Sequence, residues 1–199
     1  MKKSKNTRLK KYPKLTPNQL VSEINRETYK EKYFKILKST IYSLIIILAI
    51  AILTATLVMP VLEISGTSMS PQLNTGDIVI SVKNKNFKNG DIIGFYHGNK
   101  ILVKRVIAGP GKWVNIDDEG NVYVNGQILS EAYVNEKKQG ESNIEYPYQV
   151  PDGHWFVLSD DRLDTIDSRN SDIGSITNEN IIGKVIFRIW PLKTFGIIN

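Results

Sequence analysis

ISGTSMSPQLNTGDIVI, residues 64–80, follows directly on the most apolar run of this 199-residue chain. It gathers Ser65, Thr67, Ser68 and Ser70 around a single Met69, then passes through Pro71 and Gly76-Asp77 into an apolar Ile-Val-Ile. Two readings are open. One is a polar linker leaving a membrane. The other is a turn that presents a hydroxyl nucleophile at the membrane surface, which needs a base from elsewhere in the chain.

Upstream, Lys38 and Glu63 bracket STIYSLIIILAIAILTATLVMPVL, residues 39–62, without a formal charge. At ~1.5 Å per residue these reach about 36 Å, enough to cross a hydrocarbon core of about 30 Å with some tilt. From Leu44 to Leu57 the run is apolar on all sides, which suits lipid, and Pro60 marks the exit. The preceding segment and the apolar core are both too long for a cleaved signal peptide, so an uncleaved anchor is expected. Lys30, Lys32, Lys35 and Lys38 precede the span and place the N-terminus in the cytoplasm, with residues 63–199 on the extracytoplasmic face of the cell membrane. Residues 18–33 read as a short helix leading in.

The net charge of +6 is unevenly spread: residues 1–38 carry +9 and the rest −3. A basic tail (1–38) beside a membrane span points to anionic lipid rather than nucleic acid. There are no cysteines, which excludes disulfides, thiolate metal sites and a cysteine nucleophile. His97 and His154 are the only histidines, and each reads as a surface or loop residue. No metal-ligand spacing occurs.

Downstream, short β runs alternate with Gly, Asn, Asp and Pro. Strands are expected at 78–82, 92–96, 101–108, 112–116, 154–158 and 181–190. A tight hairpin is expected at 122–129, where Asn125-Gly126 suits a type I′ turn. NTGDIVI and KNGDIIGF share a Gly-Asp-Ile step that reads as two similar corners of one coiled sheet. Residues 112–150, and most plainly the polar stretch 130–150, read as an excursion from that sheet. The outer domain is therefore expected to be mainly β with little helix.

A base is sought among the lysines and carboxylates. Lys104 stands out because Ile101, Leu102, Val103, Val106 and Ile107 surround it. An inward-pointing amine loses solvation, which disfavours the ammonium and lowers its pKa. A strand lysine with its head in water, and Arg105 facing the other way, is the other reading. Leu102, Val157 and Ile166 are candidates to bury the amine.

The ordered set SGTSMSPQL, GDIVI, VKRVIAGPG and SDDRLDTIDSRNSDIG, behind one N-terminal anchor, resembles the type I signal peptidases of the Gram-positive type over about residues 40–190. The resemblance implies a coiled β-sheet domain with a smaller β-hairpin insertion, preceded by one transmembrane helix. It implies a serine endopeptidase that removes signal peptides from secreted pre-proteins and needs no cofactor. Ser68 is then the nucleophile and Lys104 the general base, with Met69 beside the membrane and substrate. Asp160, Arg162, Asp167 and Arg169 match the family's Asp/Arg network, in which Asp167 acts as a buttress. Thr165 stands where the family often has a serine whose hydroxyl bonds the lysine. Gly66 lacks the hydroxyl that some members supply to the oxyanion hole, which leaves the Ser68 backbone N–H as the expected donor.

Two positions depart from the family pattern: Ser159 replaces a glycine and Asp161 an asparagine. The added charge of Asp161 is expected to favour protonated Lys104, raising the working pH or weakening the enzyme. Two other classes share these features. One is a self-cleaving Ser/Lys regulatory protease, disfavoured by the anchor. The other is a catalytically silent, membrane-tethered β domain.

Overall fold

The computed structural model describes residues 16–84 and 86–198, so residues 1–15 of the expected basic tail lie outside the described residues. A single helix, α1 (Pro17–Val58), takes up both the expected lead-in helix and the apolar span. Its start is legible in Thr-Pro-Asn-Gln: Pro17 opens the first turn, and the Gln19 side chain accepts the Thr16 backbone N–H at 3.0 Å. This is half of a capping box, with proline at its favoured first position. Pro60 cannot continue the helix. The helix therefore ends before residue 62, and Val61 and Leu62 already belong to the first strand. The described side chains of α1 are exposed, and its apolar part is long enough to cross a membrane.

The rest is β structure. In chain order the strands are β1 (Val61–Glu63), β2 (Ile78–Val82), β3 (Ile92–His97), β4 (Lys100–Ala108), β5 (Trp113–Ile116), β6 (Val122–Val124), β7 (Gln127–Ile128), β8 (Tyr148–Gln149), β9 (His154–Leu158), β10 (Ile176–Thr177), β11 (Ile181–Trp190) and β12 (Gly196–Ile197). The larger sheet runs β1-β2-β11-β3-β4-β9-β10, with β12 also on β11. The smaller sheet runs β7-β6-β5-β8; it occupies the excursion expected at 112–150. Asn125 and Gly126 both take positive φ, 51° and 77°, as the tight hairpin requires. Strands β1, β8, β10 and β12, of two or three residues each, escaped the sequence reading because so short a run shows no periodicity.

The two Gly-Asp-Ile steps do the same work. Asp77 and Asp91 each accept a backbone N–H three residues earlier, from Asn74 at 3.0 Å and from Lys88 at 2.9 Å. Each then reaches across to β11, Asp77 to Arg188 and Asp91 to Lys184, both at 2.6 Å. Gly76 and Gly90 precede them at φ of 87° and 93°, a conformation glycine adopts freely. Two equivalent corners thus fasten β2 and β3 to the one long strand between them.

Three apolar clusters fill the domain. The first joins Leu62, Ile64, Met69, Leu73, Val79, Ile92, Val185 and Ile198. Met69 is 1% exposed, which corrects its expected place beside the membrane: it is a core residue that anchors the turn carrying Ser68. The second cluster unites β4 and β9 with the small sheet through Ile107, Val114, Val122, Phe156 and Leu158. The third lies under β3, β4 and β9 and includes Ile93, Phe95, Val106 and Val157.

Candidate active site

Ser68 begins a tight turn fixed by backbone bonds from Ser70 N–H to the Thr67 carbonyl and from Leu73 N–H to the Met69 carbonyl, both 2.8 Å. Burial of Met69 and Leu73 holds the turn down and leaves Ser68 half-exposed. Gly66, at φ of 93°, lets the chain enter it. Its carbonyl accepts the Thr75 hydroxyl at 2.9 Å. Ser68 opens on a cavity of 70 Å³ walled by Glu63 and Ile64 on one side and by Ile101, Leu102 and Val103 of β4 on the other.

Lys104 is 1% exposed, which decides between the two readings of its strand: the amine points inward. Its register partner on β3 is Ile93, and Leu102 and Val106 flank it on the same face of β4. Its amine donates to the Ser159 hydroxyl at 2.8 Å and to the Asp164 carboxylate at 3.2 Å. Burial pulls its pKa below the ordinary lysine value, while Asp164 and then Asp167 push the other way. Among the described residues, no hydrogen bond joins the Ser68 hydroxyl to this amine. The connection runs through the loop after β9, whose Asp161 N–H donates to the Ser68 carbonyl at 3.0 Å.

That loop differs from the expected arrangement in three respects. The hydroxyl on the amine is that of Ser159, whereas Thr165 lines a separate open cavity with Glu141, Ser142, Asn143 and Asn170. The carboxylate beside the amine is Asp164, whereas Asp161 turns its own onto the Leu163 N–H. Ile166 is 54% exposed and buries nothing. The register explains the first difference. Arg105 on β4 pairs with Leu158 on β9, so the next antiparallel step sets residue 159 opposite Lys104, on the same face.

The remaining charges brace the loop. Asp167, with no exposed surface, accepts the Ser159 backbone N–H at 2.9 Å and pairs with Arg169 at 2.7 Å. The Arg169 guanidinium also donates to the carbonyls of Gln139 and Arg162, both at 2.9 Å. Asp160 binds Arg105 through two bonds of 2.8 and 2.6 Å. Burial pushes the Asp160 carboxyl above its usual range, and Arg105 opposes that shift. The Arg105 guanidinium lies 3.9 Å over the Tyr133 ring, and Arg162 pairs with buried Glu131. Arg105, Glu131, Ser159 and Asp164 were not singled out as site partners from the sequence. Arg105 had one signal, a second charge inside an apolar strand. Glu131 had none, because it lies in the polar stretch after the hairpin.

The pairing of Arg162 with Glu131 ties the small-sheet segment to the active-site loop and carries a testable consequence. Glu131→Ala leaves a guanidinium buried without its partner, and loss of one member of such a pair costs about 3–5 kcal/mol. Urea unfolding of the detergent-solubilised chain is expected to show that loss. A change below about 1 kcal/mol would mean that the pair is solvated.

Comparison with known proteins agrees with this architecture. The family described as signal peptidase, peptidase S26, matches residues 37–190. Signal peptidase I of Bacillus licheniformis is 31% identical over 164 residues, covering 76% of this chain and 87% of that protein. Signal peptidase I T of Bacillus subtilis (strain 168) is 33% identical over 144 residues, covering 65% and 73%. Thylakoidal processing peptidase 1 of Arabidopsis thaliana is 35% identical over 146 residues, covering 65% of this chain but only 41% of that longer protein. The chain belongs to the signal peptidase family, peptidase S26.

Proposed function

We propose that this chain is a membrane-anchored serine endopeptidase that removes signal peptides from pre-proteins. Ser68 attacks the scissile carbonyl while Lys104 takes the hydroxyl proton. The Ser68 backbone N–H faces the developing oxyanion, and Lys104 returns the proton to the leaving amine. Water then hydrolyses the acyl-enzyme. The observation that carries this reading is a dry strand amine held by the same loop that binds the Ser68 carbonyl.

The sheet suggests where substrate lies. Of the two strand regions expected to receive it, β2 is paired on both edges, by β1 and β11. On β4, the pairing with β9 begins only at Arg105, and Ile101–Val103 face the Ser68 cavity. An extended cleavage segment would add a strand there, and the cavity of 70 Å³ beside Ser68 suits small side chains. Asp160, Arg162, Asp167 and Arg169 hold the loop, with Asp167 a buttress whose carboxylate is already engaged. Pre-proteins and the phospholipid membrane are the partners. The lysines before the span support a cytoplasmic N-terminus and an extracytoplasmic β domain. A shared membrane surface raises the effective concentration of enzyme and substrate.

The test is cleavage in trans. Purified chain in detergent, given a separate pre-protein, should release a mature product whose new N-terminus follows a small residue, at a rate proportional to enzyme concentration. Cleavage of the chain itself without cleavage of added pre-protein would favour the self-processing class. No cleavage of either would favour a silent domain.

A further inference from the structure

We propose that Ser159 and Asp164 are the positioning residues of Lys104, occupying the role that the family resemblance assigns to Thr165. The inference deepens the peptidase reading and rests on Lys104 as the base. An ammonium has three N–H donors. Two are directed by groups from one short loop, the Ser159 hydroxyl at 2.8 Å and the Asp164 carboxylate at 3.2 Å.

The loop itself is fixed at both points. The Ser159 backbone N–H is held by Asp167. The second carboxylate oxygen of Asp164 accepts the Ile166 N–H at 2.9 Å, and its carbonyl accepts from Arg169. A glycine at 159 would leave the position opposite Lys104 without a hydroxyl, and Thr165 lines a different cavity. Ser159, a departure from the family pattern, thus supplies the hydroxyl at the amine.

The pair acts differently on the two protonation states. The Ser159 hydroxyl can accept from the ammonium or donate to the neutral amine, so it holds the nitrogen in place throughout the cycle. The Asp164 carboxylate only accepts, and it favours the charged form. Its side chain is 24% exposed, so water moderates its pull. The other charges acting on the amine are Asp167, which favours the ammonium, and Arg169, which opposes it. Those two are paired with each other. Arg105, next in the strand, is bound to Asp160, and the residues opposite Lys104, Ile93 on β3 and Ser159 after β9, carry no charge. Among the described charges, Asp164 is therefore the carboxylate, bound to no other cation, that opposes the effect of burial on the amine.

The experiment uses the full chain in detergent micelles with a pre-protein peptide, measuring kcat and KM from about pH 6 to about pH 11, a span that brackets a lysine shifted by burial. In parallel, the Lys104 side-chain amine is titrated by NMR in a Ser68→Ala background, which does not depend on turnover. Asp164→Asn should lower both the NMR midpoint and the acid limb of kcat/KM, by at least about half a pH unit. Ser159→Ala should lower the plateau kcat by about tenfold, with KM within about twofold, and by more than Thr165→Val does. An unmoved midpoint in Asp164→Asn would overturn the proposal, as would a greater kcat loss in Thr165→Val than in Ser159→Ala. Should the wild-type chain cleave nothing while Asp164→Asn still lowers the midpoint, the arrangement around the amine stands and the peptidase reading falls.

Discussion

Ser68→Ala is expected to abolish pre-protein cleavage while leaving the fold intact. A serine hydroxyl becomes a useful nucleophile only when a base removes its proton, and alanine leaves no atom to form the acyl-enzyme. The loss should be on the order of 10⁴-fold or more, the scale at which nucleophile removal registers in serine hydrolases. The fold should survive because of where the hydroxyl lies. Ser68 is half-exposed, and its link to the rest of the site runs through its carbonyl, which accepts the Asp161 N–H whatever the side chain. The turn is held by Met69 and Leu73 in the core, so a stability change within about 0.5 kcal/mol is expected, as for surface substitutions. Turnover of purified protein and its urea midpoint check the two halves. Wild-type turnover in Ser68→Ala would remove this serine from the mechanism, whereas lost turnover with a lowered midpoint would show misfolding.

Much of this arrangement could be read from the chain, and the part that could not shares one cause. Strands of four or more residues announced themselves by apolar runs between turn residues. The Asn125-Gly126 hairpin and the stop at Pro60 followed from backbone constraints that act within a few residues. Lys104 was conspicuous as a cation in an apolar strand. What stayed hidden is set by pairing between distant segments. Ser159 meets Lys104 because β4 and β9 are in one register, and a one-residue slip would have turned it to the other face. Glu131 meets Arg162 only once the small sheet has folded beside the loop. Met69 was expected at the lipid boundary from the family resemblance, yet the turn rotates it into the core. Local chemistry is written in local sequence, whereas partners of long-range contacts become visible only with the sheet order.

Lys104→Arg is expected to be inactive at every accessible pH, with a loss comparable to that of Ser68→Ala. A guanidinium keeps its proton beyond about pH 12, so it cannot act as a base where lysine can. The argument depends on burial. Lys104 is 1% exposed, and loss of solvation is the largest influence lowering its pKa. The wild-type acid limb is therefore expected below the ordinary lysine value, with activity rising as pH increases through it. Arginine is bulkier than lysine and position 104 is buried, so Lys104→Met supplies the control for misfolding. Methionine matches the apolar stem, removes the charge and leaves Asp164 free to turn toward water. It strands only the Ser159 hydroxyl, at about 1–3 kcal/mol. Lys104→Met should remain folded by circular dichroism, with a lowered urea midpoint, and should show no cleavage even at alkaline pH. A Lys104→Met protein that keeps a rate within tenfold of wild type would place the base elsewhere. Loss of activity in both variants with the methionine protein folded would leave the amine itself as the missing function.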